Sequence, residues 1–165
     1  LFAVSEVLLN TNELRGGEVR SVIKHRLFIS FREIRDCLGA ISRGTVIGFI
    51  VGVMPGAGAG IASFLSYSVE SQVSKNPERF GHGEIRGVAA PESANNAASA
   101  GAMVPMLTLG IPGSGTTAIL LLALTALNVH PGPMMFSQHP EVVWGLIAAL
   151  YVGNVMLLIL NLPVV

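Results

Sequence analysis

The sequence predicts an all-α integral membrane protein in which some helices are discontinuous or re-entrant and at least one spans fully. Three observations predict it. The chain is 51% hydrophobic and only 12% charged, with a mean hydropathy of +0.62; soluble domains carry about a quarter charged residues. The charges are segregated, with no Asp, Glu, Lys or Arg over residues 93–140 or 142–165. A charge at the bilayer centre costs roughly 2.5–3.5 kcal/mol on insertion scales, so such runs suit a chain built for lipid. Third, two apolar stretches are interrupted by the same kind of turn, Pro55-Gly56-Ala57-Gly58 and Pro112-Gly113-Ser114-Gly115. Lipid cannot satisfy free N–H and C=O groups, so irregular backbone at depth survives only inside protein or beside a cavity.

In chain order, residues 1–43 form a polar segment after a short apolar start. Seven of the ten Lys and Arg residues precede Gly44, and Leu27, Ile29, Phe31, Ile34 and Leu38 are interspersed among them. That pattern predicts an amphipathic helix within residues 15–43 lying at the membrane surface, on the cytoplasmic side by the positive-inside rule. Residues 44–165 are expected to form a transmembrane half-domain. Its first broken unit covers residues 44–75, with halves of roughly 16–21 Å as helices, short of a ~30 Å hydrocarbon core. They either cross as one discontinuous helix or return as a hairpin. The second unit covers residues 91–129, with Pro91 and Glu92 expected in the first turn of its helix. It breaks at residues 110–115 and resumes as a second half. Residues 142–162 read as an ordinary spanning helix. Small residues at four-residue spacing, Gly48/Gly52 and Ala94/Ala98, provide for close helix packing in lipid.

Several function classes fall away. The formal net charge is zero, which gives no electrostatic case for nucleic acid. The single cysteine, Cys37, excludes an internal disulfide, and the four histidines show no metal-ligand spacing. Neither glycine turn leads into Lys-Ser/Thr, and Gly56-Ala57-Gly58-Ala59-Gly60 is not the dinucleotide pattern in register. Ser114 with His130 and His139 downstream invites an intramembrane serine protease, but both histidines sit beside proline in a connector. With no initiator Met and apolar residues up to Val165, the chain reads as a piece of a longer membrane protein.

The paired turns carry the chemistry. Glycine permits positive φ and close approach of a ligand, and each turn is followed by a half-helix whose first N–H groups are unpaired and carry about half a positive charge. An anion is the natural guest, and matched Gly/Pro interruptions point to a transporter's substrate site. The candidate substrate-binding residues are Gly56, Gly58, Gly60, Asn95, Asn96, Gly113, Ser114, Thr116 and Thr117. Asn95, Asn96, Thr108 and Glu92 are the candidates for a coupling cation, since an intramembrane acid or amide carbonyl suits Na⁺ or H⁺. The bland alternative makes the breaks mere kinks for helix packing in a non-transporting scaffold.

The motifs Pro55-Gly56-Ala57-Gly58, Ser66-Tyr67, Phe80-Gly81-His82-Gly83, the run Ala90-Pro91-Glu92-Ser93-Ala94-Asn95-Asn96-Ala97, Leu107-Thr108-Leu109-Gly110-Ile111-Pro112-Gly113-Ser114 and Pro131-Gly132-Pro133 occur in this order. Together they resemble the large membrane subunit of the tripartite tricarboxylate transporter family, in its second half. The resemblance implies a multi-pass protein of the bacterial inner membrane, working with a small membrane subunit, a periplasmic solute-binding protein and the missing N-terminal half of the same subunit. It implies import of citrate or other carboxylates with Na⁺ or H⁺, no enzyme activity and no bound cofactor. The family's glycine–proline motifs fall on Gly52, Pro55, Gly56 and Gly58, and on Gly110, Pro112, Gly113 and Ser114.

Charge arithmetic favours a co-transported cation independently. Two helix N-termini supply on the order of one positive charge, and no Lys or Arg occurs from Gly87 to the end of the chain. A trianion in a low-dielectric pocket would remain undercompensated.

Overall fold

The computed structural model describes residues 30–161, and everything structural below refers to them. The elements are α1 (Phe31–Val53), α2 (Gly58–Val73), a 3₁₀ turn (Pro77–Arg79), α3 (Arg86–Gly101), α4 (Met103–Leu109), α5 (Gly115–Ala126), the short α6 (Met135–Gln138) and α7 (Pro140–Asn161). The described residues contain no strand. Helices α1 and α7 are long and apolar enough to cross a membrane.

Helix α1 starts where Ser30 caps it and Glu33 reaches back to the Ser30 N–H at 2.7 Å, a capping box. It then runs unbroken to Val53, so the expected division at residue 43 falls inside a helix. The reason is a stripe of small residues, Cys37, Ala40, Gly44, Gly48 and Gly52, all buried on one face, with neither a proline nor a cap between them to stop it. The part of the expected surface helix over residues 15–29 lies outside the described residues.

The stripe packs on α3 with almost no separation. A side chain built on Gly48 would start 2.6 Å from Ala94 Cα, and one on Gly52 would start 2.6 Å from Ala98 Cα. Gly44 faces the Ala90 carbonyl in the same register. Positions 44, 48 and 52 therefore match 90, 94 and 98, and α1 and α3 run parallel. Helix α2 runs the other way. Its Glu70 carboxylate, 1% exposed, takes two hydrogen bonds from the Arg43 guanidinium, both of 2.8 Å. Residues 43 and 70 lie symmetrically about the Pro-Gly turn, so the first broken unit is a helical hairpin rather than a discontinuous crossing. The turn itself needs glycine at two places, Gly56 with φ +81° and Gly58 with φ +71°.

The second unit begins earlier than its proline signalled. Helix α3 starts at Arg86, which puts Pro91 inside it instead of in the first turn. The lost N–H would have bonded the carbonyl of Gly87, in the helix's own opening turn, so the interruption is mild. The Pro91 carbonyl accepts from Ser63 Oγ of α2 at 3.1 Å. Nor is the run from 93 to 109 one helix. It kinks at Ala102 between α3 and α4, where Pro105 withholds the N–H that the Gly101 carbonyl would otherwise receive.

Helix α4 ends in a left-handed Gly110 with φ +69°, the usual helix stop. The chain then doubles back, which brings Gly113 against Ala102 and Gly52, and α5 leads outward again. Leu124 of α5 joins Met106, Leu107, Met135 and Val143 in an apolar cluster. Gly132 N–H bonds the Leu107 carbonyl at 3.1 Å and ties the connector to α4. Helix α7 opens at Pro140, a little before the expected residue 142, and returns past α4 through Val143 and Ile147. Most of its far half is exposed, including Tyr151, Leu157 and Leu160.

Candidate functional site

The two Pro-Gly turns meet. The Gly56 N–H donates to the Gly113 carbonyl at 3.3 Å, so the interruptions, fifty-seven positions apart in sequence, touch tip to tip. Beside this contact lies a cavity of about 360 Å³, large enough for a small organic anion at the lower end of ligand-site volumes. Its walls include Gly58 and Ala59 from the start of α2, Ser114, Thr116 and Thr117 from the start of α5, and Ser99 from α3. Both half-helices thus open into one space. Gly52, Ala98, Ala102, Met103 and Leu150 complete it, so the floor is apolar and no charged side chain lines it.

The two helix starts differ in how they are capped. At α2 the cap position is Ala57, which has no side-chain cap. The first N–H groups of that helix, from Gly58 to Gly60, remain available. At α5, Ser114 Oγ accepts from Thr117 N–H at 3.2 Å, while Thr117 Oγ1 accepts from Ser114 N–H at 2.8 Å and donates to the Ser114 carbonyl at 2.9 Å. These hydroxyls satisfy their own backbone, which leaves the N–H groups of Gly115 and Thr116 and the Thr116 hydroxyl for a guest. Thr116 Oγ1 makes no hydrogen bond to another described residue. With about half a positive charge at each helix start, the cavity is an anion cradle made from backbone.

Of the candidates from sequence, Gly58, Ser114, Thr116 and Thr117 come together in this cavity. Gly56 and Gly113 build the contact beside it, and Gly60 sits one step along α2 with its own Cα facing open space. The others lie elsewhere. Asn95, Asn96 and Glu92 are exposed on α3, with Asn96 Nδ2 donating to the Glu92 carbonyl at 3.0 Å. They sit further from the break than the cavity, which α3 meets at Ala98 and Ser99, one helical turn beyond Asn95. Thr108 lines a second, more apolar cavity of about 470 Å³ between α4 and α7 with Tyr151 and Asn154. Ser99 was not singled out from sequence. It is one helical turn beyond Asn95 toward the break, and that step along the helix brings it level with the cavity.

An all-helical chain with two broken segments joined at their tips over a shared cavity has the architecture expected of a transporter component. The chain matches the tripartite tricarboxylate transporter TctA family over residues 1–165 and belongs to it. It is 44% identical over its whole length to an uncharacterized 52.8 kDa protein of the TAR-I ttuC' 3' region of Agrobacterium vitis, covering 33% of that protein. Over 118 residues, 72% of this chain, it is 50% identical to an uncharacterized protein of the TAR-II ttuC' 3' region of the same organism, covering 49% of it. The chain therefore spans a third to a half of these relatives. No solved structure matches it.

Proposed function

We propose that this chain forms the core of a cation-coupled importer of di- and tricarboxylates such as citrate, in the bacterial inner membrane. Its partners in that reading are the remainder of the same large subunit, a small membrane subunit and a periplasmic solute-binding protein. The carrying observation is that the N-termini of α2 and α5 open into one cavity beside the Gly56–Gly113 contact. Backbone N–H groups at Gly58–Gly60 and at Gly115 and Thr116 would hold the carboxylates. A tricarboxylate there brings more negative charge than two helix dipoles balance, which is why a cation accompanies it. Alternating access then moves the two broken units together against a scaffold supplied by the rest of the subunit.

The test is uptake of labelled citrate and related di- and tricarboxylates into vesicles that carry the complete system. Uptake should collapse when ionophores dissipate the cation gradients. In purified protein the carried carboxylate should raise the unfolding temperature saturably, as a ligand that binds only the folded state must. A scaffold subunit without a binding site would show neither effect.

A further inference from the structure

The walls of the first cavity are uneven in size. All but two of its lining residues are Gly, Ala, Ser or Thr, and the two exceptions are Met103 and Leu150. The small residues have no room to recede. Gly52 meets Ala98, and Gly113 meets both Gly52 and Ala102, backbone against backbone. Ser114 and Thr117 are tied to each other by the cap of α5. Only Met103 and Leu150 carry enough side chain for the size of a guest to depend on it.

The same two side chains also line the second cavity, of about 470 Å³. They are the partition between the two spaces, Met103 from the start of α4 and Leu150 from α7, one turn past Ile147. The far space differs in character. Val104, Leu107, Phe136, Val143 and Ile147 give it an apolar surface, and no charged side chain lines it. A carboxylate gains nothing there, whereas an apolar arm is stabilised by leaving water. Met103 packs against the Met106–Val143 cluster, where its unbranched thioether chain suits an irregular gap. Leu150 is 40% exposed, so shortening it opens no hole in the core.

We propose that Met103 and Leu150 set the substrate range of the carrier, admitting compact di- and tricarboxylates and excluding carboxylates that bear an apolar arm. This deepens the carboxylate reading and rests on it. With the carboxylates on the amides of α2 and α5, an arm on the carbon chain meets fixed backbone at every wall but the one that these two side chains make. Shortening either of them joins the two spaces and more than doubles the room. Bulk forced against a packed wall is penalised, whereas each methylene accepted in an apolar pocket is worth about tenfold or more.

The experiment measures the affinities of succinate, citrate and benzylsuccinate from the saturable rise each gives in the unfolding temperature of the purified full-length subunit. Benzylsuccinate has the two carboxylates of succinate and one apolar arm. The parent should bind it about tenfold or more weakly than the tighter of the two compact ligands. Leu150→Ala and Met103→Ala should each raise the ratio of benzylsuccinate affinity to compact-ligand affinity about tenfold, and Met103→Leu should not. Adding Ala100→Phe, which fills the second cavity from α3, to Leu150→Ala should cancel the gain, a response that mere loosening of the fold would not give. Should Met103→Ala misfold, Leu150→Ala decides. A ratio unchanged in Leu150→Ala, a gain that survives Ala100→Phe, or a parent that takes the armed and compact ligands equally would overturn the partition and leave the carboxylate reading standing. No stabilisation of the parent by any of the three would remove both.

Discussion

Replacing Gly115 by proline deletes one amide hydrogen from the anion cradle and little else. Gly115 is the first helical residue of α5, after the Ser114 cap, the position at which proline suits a helix best. Ser114 has φ −154° and ψ 168°, the extended backbone that a residue before proline adopts. A Cβ at residue 115 meets no atom within 4 Å. Stability without substrate should thus stay within about 0.5 kcal/mol, or rise slightly because proline restricts the unfolded chain. A hydrogen bond to a charged group contributes about 1.5–3 kcal/mol, and Gly115 is on the exposed rim of the cradle, so the lower end applies. That is about a tenfold loss in carboxylate affinity. The assay pairs the citrate dependence of the unfolding temperature with KM for uptake in vesicles. An unchanged KM in a variant that folds normally would mean that α5 does not aim its amides at the substrate.

The remaining expectations concern the scaffold. Gly48→Ala drives a methyl into Ala94, 2.6 Å from its Cα, and should destabilise by about 1–3 kcal/mol or more, as overpacking does, read by thermal or denaturant unfolding. Gly60→Ala, with no atom within 4 Å of its Cβ and its N–H retained, should instead gain about 0.5–1 kcal/mol and leave carboxylate affinity unchanged. Arg43→Gln leaves the Glu70 carboxylate buried without its partner. The cost should be about 3 kcal/mol in unfolding experiments, at the low end because Arg43 itself is 42% exposed. Lys75→Cys and Arg86→Cys, in a Cys37→Ser background, should react with a membrane-impermeant thiol reagent from one and the same side, since α2 ends and α3 begins at the same end of the bundle.

The large features were legible in the sequence because they depend on composition and local geometry. Charge-free runs reported lipid, Gly48/Gly52 and Ala94/Ala98 reported a close helix contact, and the Pro-Gly turns reported breaks. What escaped was decided by tertiary contact. Pro91 read as a helix start, yet the hydrogen bond it forgoes is one of the first in α3, which makes it tolerable inside the helix. The residues up to 43 read as a separate surface helix because their charges are dense, while the buried stripe that continues from Cys37 to Gly52 is equally present but carried by small, unremarked side chains. Asn95 and Asn96 looked like ligands because they are polar within an apolar run. They lie at least a helical turn short of the cavity, which α3 reaches only from Ala98 and Ser99 onward. Ser114 and Thr117 line the cavity, but no spacing rule reveals that they spend their hydroxyls on each other.

The glycine stripe and the glycine breaks belong to one construction. Between Arg43, the last charge on α1, and Gly52 at the break, the helix advances about 13 Å, close to half of a ~30 Å hydrocarbon core. Glu70 returns to the level of Arg43 across the hairpin, so charge reappears where the chain regains the interface. The turn is thereby held near the middle of the bilayer, where a carrier's site must be reachable from both sides. The absence of side chains at Gly44, Gly48 and Gly52 lets α1 and α3 approach until backbone touches backbone. Only at that separation can Gly113 lodge between Gly52 and Ala102, with a Cβ already 3.1 Å from the Ala102 methyl. Bulk anywhere along the stripe would push α1 outward, part Gly56 from Gly113 and open the cavity wall. Close packing is therefore what assembles the binding geometry, and the scaffold and carrier readings of these glycines are not exclusive.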